Sequence, residues 1–125
     1  MADLRNQNGA APPVATDSAA TPQISVVVPV YNELENLAVL HESLVFALDA
    51  IGRSYEILIV DDGSSDGSRT VLREMAAQDP NLRAILLRRN YGQTTAMAAG
   101  FDHARAPVMV TMDGDLQNDP ADIAR

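Results

Sequence analysis

Ile24-Ser-Val-Val-Val-Pro-Val30 restricts the fold more than any other segment of the chain. It is short, β-branched and nearly continuous in apolar character. A strand of that kind belongs inside a sheet with both faces covered, because strands with one wet face alternate apolar and polar residues. Pro29 sits at its end, where a missing N–H harms the hydrogen-bond ladder least.

The chain then cycles. Asn32 is the expected N-cap of a helix, with Glu35 three residues on completing a capping-box-like arrangement. Leu37, Leu40, Leu44, Ala47 and Ile51 recur at helical spacing, and Gly52 closes that helix. The pattern predicts a strand over Tyr55–Val60, a turn over Asp61–Asp66 and a helix over Ser68–Gln78 stopped by Asp79-Pro80. A third strand over Leu82–Leu87 and a loop over Arg88–Gly92 follow. Next come a small-residue helix over Gln93–Arg105 and a fourth strand over Pro107–Met112. Pro120 opens a further helix at its favoured first-turn position. Strands alternating with helices predict a parallel sheet with right-handed crossovers, an α/β layered fold. In such sheets ligands bind beyond the carboxyl ends of the strands, where the strand order reverses. With the order 3-2-1-4, that point lies between the first and fourth strands.

Composition removes several function classes. All nine positive residues are Arg, so a Lys nucleophile or Schiff base is excluded. No Cys is present, which removes disulfides and thiolate chemistry and fits a cytosolic chain. A net charge of −8 argues against a nucleic-acid partner. Residues 1–22 lack hydrophobic periodicity and read as a disordered tail, leaving 23–125 as the folded part. The tail has neither the basic start nor the apolar stretch of a secretory signal, and no apolar run is long enough to span a bilayer.

The loops at the carboxyl edge carry the chemistry. Glu33, Asp61, Asp62, Asp66, Asp113, Asp115 and Asp119 are all expected there, and like charges side by side are costly without compensation. A cation is the economical explanation. Asp113-Gly-Asp115, at the end of an apolar run, suits a hard divalent ion that also holds substrate phosphates. A glycine-assisted turn with Asp66 near the helix cap accounts for Gly63, Ser64 and Asp66. It does not easily account for two consecutive acids, whose carboxylates can accept hydrogen bonds from a base N–H and ribose hydroxyls. Arg88 and Arg89 read equally well as solvated surface charges or as an anion-facing loop ahead of a helix N-terminus. Ala96, Ala98, Ala99 and Gly100 read as close helix–sheet packing, the Met residues as core filling, and His41 and His103 as surface or packing residues. Ser64 and Ser65 have no His partner in view, so a hydrolase triad is improbable. A phosphoacceptor receiver domain would need a Lys, and a dinucleotide-binding dehydrogenase a Gly-x-Gly-x-x-Gly. Neither is present.

Val28-Pro-Val-Tyr-Asn-Glu33, Val60-Asp-Asp-Gly-Ser-Ser-Asp66, Arg89-Asn-Tyr-Gly92 and Met112-Asp-Gly-Asp-Leu-Gln117 occur in the order found in family-2 glycosyltransferases, from about Ile24 to Arg125. The last motif most resembles the polyprenyl-phosphate glycosyltransferases. The resemblance implies a GT-A nucleotide-diphosphosugar fold and metal-dependent, inverting sugar transfer from a UDP- or GDP-sugar to a polyprenyl phosphate. It places Pro29, Tyr31, Glu33, Val60, Asp61 and Asp62 at the nucleoside, with Asp62 at base and ribose. Asp113 and Gly114 fall at the ribose or diphosphate, and Asp115 with Gln117 and Asp113 at Mg²⁺ or Mn²⁺. Family members continue with acceptor-side segments, so the chain is expected to be the donor-binding half of a longer enzyme. Such an enzyme would work at the cytoplasmic face of the inner membrane and touch it only through the C-terminal region. A truncated module that binds nucleotide-sugar and metal without catalysis is the alternative. That expectation also leaves apolar sheet surface uncovered beyond the fourth strand.

Overall fold

Ile24–Val30 forms strand β1, and all seven of its residues are buried, as a near-continuous apolar run requires. The computed structural model describes residues 21–112. Within them β1 is followed by a 3-10 turn at Leu34–Asn36, helix α1 (Leu37–Ile51), strand β2 (Tyr55–Asp61) and helix α2 (Ser68–Gln78). Strand β3 (Leu82–Leu86), helix α3 (Gln93–His103) and strand β4 (Val108–Thr111) complete it. The strands make one parallel sheet in the order β3-β2-β1-β4, the 3-2-1-4 order that puts the reversal between β1 and β4. Most of residues 1–22 and the helix expected from Pro120 lie outside the described residues.

Alternate residues of the central strands feed two cores, because side chains along a strand point to opposite faces. Val26, Val28, Ile57 and Ile59 pack with Leu37, Leu40, Leu44 and Leu48 of α1 and Leu72 of α2. Val27, Leu58 and Val60 pack with Ala96 of α3. Helices α1 and α2 therefore cover one face and α3 the other. The chain steps β1, β2, β3 in one direction and then returns past β1 to β4, and right-handed crossovers send the last helix to the opposite side.

Helix α3 approaches the sheet closely. A Cβ placed on Gly100 would lie 2.3 Å from Val27 Cγ1 and 3.2 Å from Val60 Cγ2. Ala96 is buried and Ala99 half-buried, in line with the expected small-residue face, but Ala98 points to solvent. The expectation that the Met residues fill core holds for Met112, which is buried, and partly for Met75 and Met97. Met109 stands half-exposed beside Val108 on β4, an edge strand of the sheet among the described residues.

The start of the first helix departs from the sequence reading. Asn32 is not its cap and Glu35 closes no capping box. Asn32 takes a left-handed conformation (φ 52°), and its side-chain oxygen accepts from Ser65 N at 2.8 Å. The chain passes through the 3-10 turn, and α1 begins at Leu37 without a side-chain cap. A tertiary partner on the next loop has taken the side chain that local chemistry would assign to capping. The helix ends as expected, at Gly52 with φ 78°.

At the amino end of the sheet, Glu56 is a carboxylate only 2% exposed. It accepts from Ser25 Oγ at 2.6 Å, Arg105 N at 2.7 Å and Arg105 Nε at 3.1 Å, and pairs with Arg83 at 3.2 Å. Burial pushes its pKa up, but the Ser25 and Arg105 hydrogen bonds and the two guanidinium charges outweigh burial and hold it below the ordinary glutamate value. Ser25 Oγ also accepts from Ala106 N at 3.1 Å, so the cluster ties the entry of β4 to β1 and β2.

Two outcomes are expected from these contacts. Gly100→Ala should lower stability by about 1–3 kcal/mol through overpacking against Val27, whereas Ala98→Ser should be nearly neutral; urea unfolding distinguishes them. The depressed pKa of Glu56 means its stabilisation is present above the unfolded glutamate value of about 4.3 and is lost as pH falls through the lower folded value. Urea midpoints measured down the acid range should therefore fall less steeply in Glu56→Gln than in the unsubstituted chain. Parallel acid limbs would remove Glu56 from that role.

Candidate functional site

At the carboxyl end of the sheet the ladder runs on into the loops. Val30 pairs with Asp61 across β1 and β2, Asp62 N donates to Val30 O at 2.9 Å, and Leu87 N donates to Asp61 O at 2.9 Å. The loops after β1, β2 and β3 thus leave the sheet side by side.

They are also laced together. Asn32 N donates to Ser64 Oγ at 2.8 Å, Ser65 N to Asn32 Oδ1 at 2.8 Å, and Leu34 N to Asp66 Oδ2 at 3.1 Å. The left-handed turn at Asn32 lets its backbone and its side chain bond neighbouring residues of the second loop. Asp66 turns its other oxygen to Ser68 N and Oγ, at 3.0 and 2.6 Å, beside the start of α2.

Asp61 is fully buried. Its Oδ2 accepts from Ser64 N at 2.9 Å and from Arg69 at 3.0 Å, while Oδ1 has no hydrogen-bond partner. Arg69 also donates to Leu87 O at 2.6 Å, joining α2 to the loop after β3. Sequence reasoning missed Arg69. The signal was present, since a buried carboxylate needs a counter-charge and Arg69 is the next positive residue along the chain.

Asp62 is 4% exposed and turns toward the third loop. Its Oδ1 accepts from Tyr91 N at 2.8 Å, and its Oδ2 from Gly92 N at 3.0 Å and Asn90 Nδ2 at 3.2 Å. Gly63 makes room for this loop: at φ 79°, a Cβ there would fall 2.3 Å from the Arg89 carbonyl carbon and 2.5 Å from Asn90 N. Arg88 and Arg89 are both exposed, and the Arg89 guanidinium lies 5.4 Å from the centre of the Tyr91 ring.

Of the other residues expected at the site, Pro29 and Val60 are paired in register and buried at the ends of β1 and β2. Tyr31 is half-exposed at the same edge. Glu33 is half-buried, accepts from Asn36 Nδ2 at 2.8 Å, and lines a polar pocket of about 340 Å³ with Asn32, Leu34, Glu35, Asn36 and Asp66. Four of the seven acids expected to converge fall among the described residues. Glu33, Asp61, Asp62 and Asp66 share the edge, but each is already met by amides, hydroxyls or a guanidinium. Among the described residues no group of three or more His, Asp or Glu could hold a metal. Asp113, Gly114, Asp115, Gln117 and Asp119 lie outside the described residues. Met112 N donates to Val27 O at 3.1 Å, so the chain leaves β4 toward this edge, beside β1.

The close approach at Gly63 has a measurable consequence. Gly63→Ala combines a left-handed backbone with a collision against backbone atoms, so it should cost about 2 kcal/mol or more. At Gly67, also left-handed at φ 97°, the nearest atom to an added Cβ is a Leu34 methyl at 3.6 Å, so Gly67→Ala should cost only the conformational part. Equal losses in urea unfolding would show that the third loop yields freely.

A family model described as glycosyl transferase family 2 matches residues 25–125. The undecaprenyl-phosphate 4-deoxy-4-formamido-L-arabinose transferases of Edwardsiella ictaluri and Pectobacterium carotovorum are 52% and 53% identical to the chain over 104 residues, covering 82% of it and 32% of each relative. The chain thus spans about a third of the length of the curated relatives it matches. Among solved structures, the mannosyltransferase PcManGT from Pyrobaculum calidifontis, in complex with GDP-Man and Mn²⁺, aligns with a TM-score of 0.63 at 26% identity, over 82% of this chain and 30% of that one. TarS from S. aureus aligns with a TM-score of 0.62 at 24% identity, over 74% and 27%, a likeness of fold alone. The sheet order and the helices on both faces are the GT-A arrangement expected from the motifs, and the chain belongs to glycosyl transferase family 2.

Proposed function

We propose that this chain supplies the nucleotide-sugar-binding face of a glycosyltransferase that moves a sugar from a nucleoside diphosphate to a polyprenyl phosphate, with inversion at the anomeric carbon. The observation that carries the reading is the carboxyl edge at the point where strand order reverses. There the loops after β1 and β2 are locked together, and β4 runs toward the same edge beside β1. The names of the relatives from Edwardsiella and Pectobacterium support an undecaprenyl-phosphate acceptor. The GDP-Man complex of PcManGT supports a nucleotide-sugar donor.

In this reading Pro29, Tyr31, Glu33, Val60 and Asp61 frame the nucleoside with Asp62 beside them, and Asp113 and Gly114 meet the diphosphate. Asp115, Gln117 and Asp113 offer only oxygen donors, a set that fits Mg²⁺ or Mn²⁺. The ion would supply neutralisation of the charge gathering on the departing diphosphate. A phosphate oxygen of the acceptor attacks the anomeric carbon as the bond to the diphosphate oxygen breaks, and the bonding pair leaves with the diphosphate. The acceptor is already an anion, so no proton has to be removed from it. The chain's contribution is to hold the donor still, and the Asp61–Arg69 brace and the Asn32–Ser64–Ser65 lacing suit that task by preorganising the loops. The membrane-bound acceptor would place the enzyme at the cytoplasmic face of the inner membrane. No helix among the described residues is long and apolar enough to cross one.

Calorimetry with UDP and GDP, with and without Mn²⁺, tests the reading. Binding should weaken at least tenfold in EDTA and by a similar factor in Asp115→Ala, about 1.4 kcal/mol or more. Equal affinity without the ion would overturn the metal role. Labelled donor with undecaprenyl phosphate then separates transfer from binding, and binding without transfer would support the non-catalytic module instead.

A further inference from the structure

Helix α1 runs back from the carboxyl edge toward the start of β2, and the turn at Asp79-Pro80 leads into β3, so the two meet near the amino ends of the strands. Between them opens a groove of about 550 Å³, remote from the edge described above. Val45, Phe46, Tyr55 and Pro80 give it apolar walls, and Glu42, Asp49 and Asp79 add carboxylates; among the described residues no Arg lines it. Phe46 is 80% exposed and belongs to neither core cluster. A single exposed apolar side chain needs no explanation, but Phe46 stands with three others around one groove. Glu42, Phe46 and Asp49 are spaced i, i+4, i+7 and so share a face of α1. The acids are unequally committed. Asp79 meets His41 Nε2 at 2.7 Å and accepts from Asn81 N at 2.9 Å. Asp49 accepts from the Tyr55 hydroxyl at 3.0 Å through one oxygen. Glu42 is exposed and has no hydrogen bond among the described residues.

We propose that this groove docks a segment of a partner protein that carries an Arg beside a large apolar residue. Charge selects the occupant. A carboxylate one turn to either side of an exposed ring fits a guanidinium, which stacks on an aromatic face while its N–H groups reach a carboxylate. The apolar neighbour then covers Val45 and Pro80, as a segment laid into a helix-lined groove does. The same charge turns other occupants away. A second copy in a two-fold contact would set its own Glu42, Asp49 and Asp79 against these, because such contacts use the same patch on both copies. Anionic lipid and nucleic acid are repelled for the same reason. Residues 1–20 connect close by, since Gln23 N donates to Ser54 O at 3.0 Å, directly before Tyr55. They carry Asp3 and Asp17 against Arg5 alone, so their charge does not complement the groove. The residues after Met112 start from the opposite edge, where Met112 N meets Val27 O. Docking here leaves the carboxyl edge uncovered, so a partner and a nucleotide are compatible on one chain.

The probe is a short fluorescein-labelled helical peptide with Leu and Arg along one face, added to the full chain in about 0.15 M salt. A counterpart with Glu in place of Arg is the control. The Leu/Arg peptide should bind and should shift the backbone amides from Glu42 to Asp49 and at Tyr55, whereas the Glu counterpart should not bind. Phe46→Ser and Glu42→Arg should each weaken binding about tenfold or more, the scale of an interface anchor. Both side chains are exposed, so urea midpoints should barely move, which separates a lost contact from a lost fold. Asp102→Arg makes the same change of charge at an exposed position on α3, across the sheet, and should leave the affinity nearly unchanged. Equal losses in Asp102→Arg and Glu42→Arg would reduce the binding to net charge and overturn the inference. Failure of the Leu/Arg peptide to bind, or amide shifts confined to Glu33 and Asp66, would overturn it as well. A dimer in sedimentation that Phe46→Ser abolishes would assign the groove to a second copy instead. Shifts of the α1 amides on removal of residues 1–20, with no peptide present, would assign it to the chain's own start.

Discussion

Two adjacent carboxylates at the exit of β2, both nearly excluded from solvent, set the terms for the whole carboxyl edge. An unpaired buried charge is among the most expensive features a fold can contain, so each acid recruits its own donors from a different element. Asp61 recruits Ser64 and the guanidinium of Arg69, and through Arg69 the start of the third loop. Asp62 recruits two consecutive amides and the Asn90 side chain from that same loop. The satisfaction of these charges is what assembles the loops after β2 and β3 into one surface. The remaining oxygen, Asp61 Oδ1, is buried without a hydrogen-bond partner and stands as the one unspent acceptor of the pair.

The opposite end of the sheet is built on the same principle to a different purpose. Glu56 gathers Ser25, Arg83 and the backbone and side chain of Arg105, and so fixes where the chain enters β4. That entry sets the register of β4 against β1, from Val108 opposite Ile24 to Thr111 opposite Val27. Between the two charged ends lies a purely apolar middle, where β1 and β2 are buried on both faces and α3 lies against Val27 and Val60 through Gly100. A strand pinned at its entrance also has its exit fixed, which links the buried glutamate at one end of the sheet to the placement of Met112, bonded to Val27 O, at the other.

Much of this architecture is legible in the order of residues alone. The continuous apolar character of Ile24–Val30 requires two covered faces, and the alternation of strand and helix patterns requires a parallel sheet. Gly52 and Asp79-Pro80 mark helix ends correctly because those signals act locally. The membership in glycosyl transferase family 2 is likewise carried by short motifs in order along the chain. Residues whose roles depend on partners far away in sequence are read less well. Asn32 has the chemistry of a cap, yet Ser64 and Ser65, more than thirty positions on, claim it first. Ala98 has the composition of a packing residue but falls on the outer side of α3, because a helix shows only one stripe to the sheet.

The sequence by itself determined the elements, their order, the edge where the loops gather and the family to which the chain belongs, since periodicity, turn chemistry and motif spacing are all properties of neighbouring residues. Only the tertiary structure decided how the acids at that edge are spent. Read along the chain, seven acids gather at that edge with a cation as the economical compensation, and Glu33, Asp61, Asp62 and Asp66 are the four among the described residues. In three dimensions each is met by a guanidinium, a hydroxyl or an N–H group brought in from elsewhere. Compensation of a buried charge depends on distance in space, and distance in space is what the order of residues along a chain does not state.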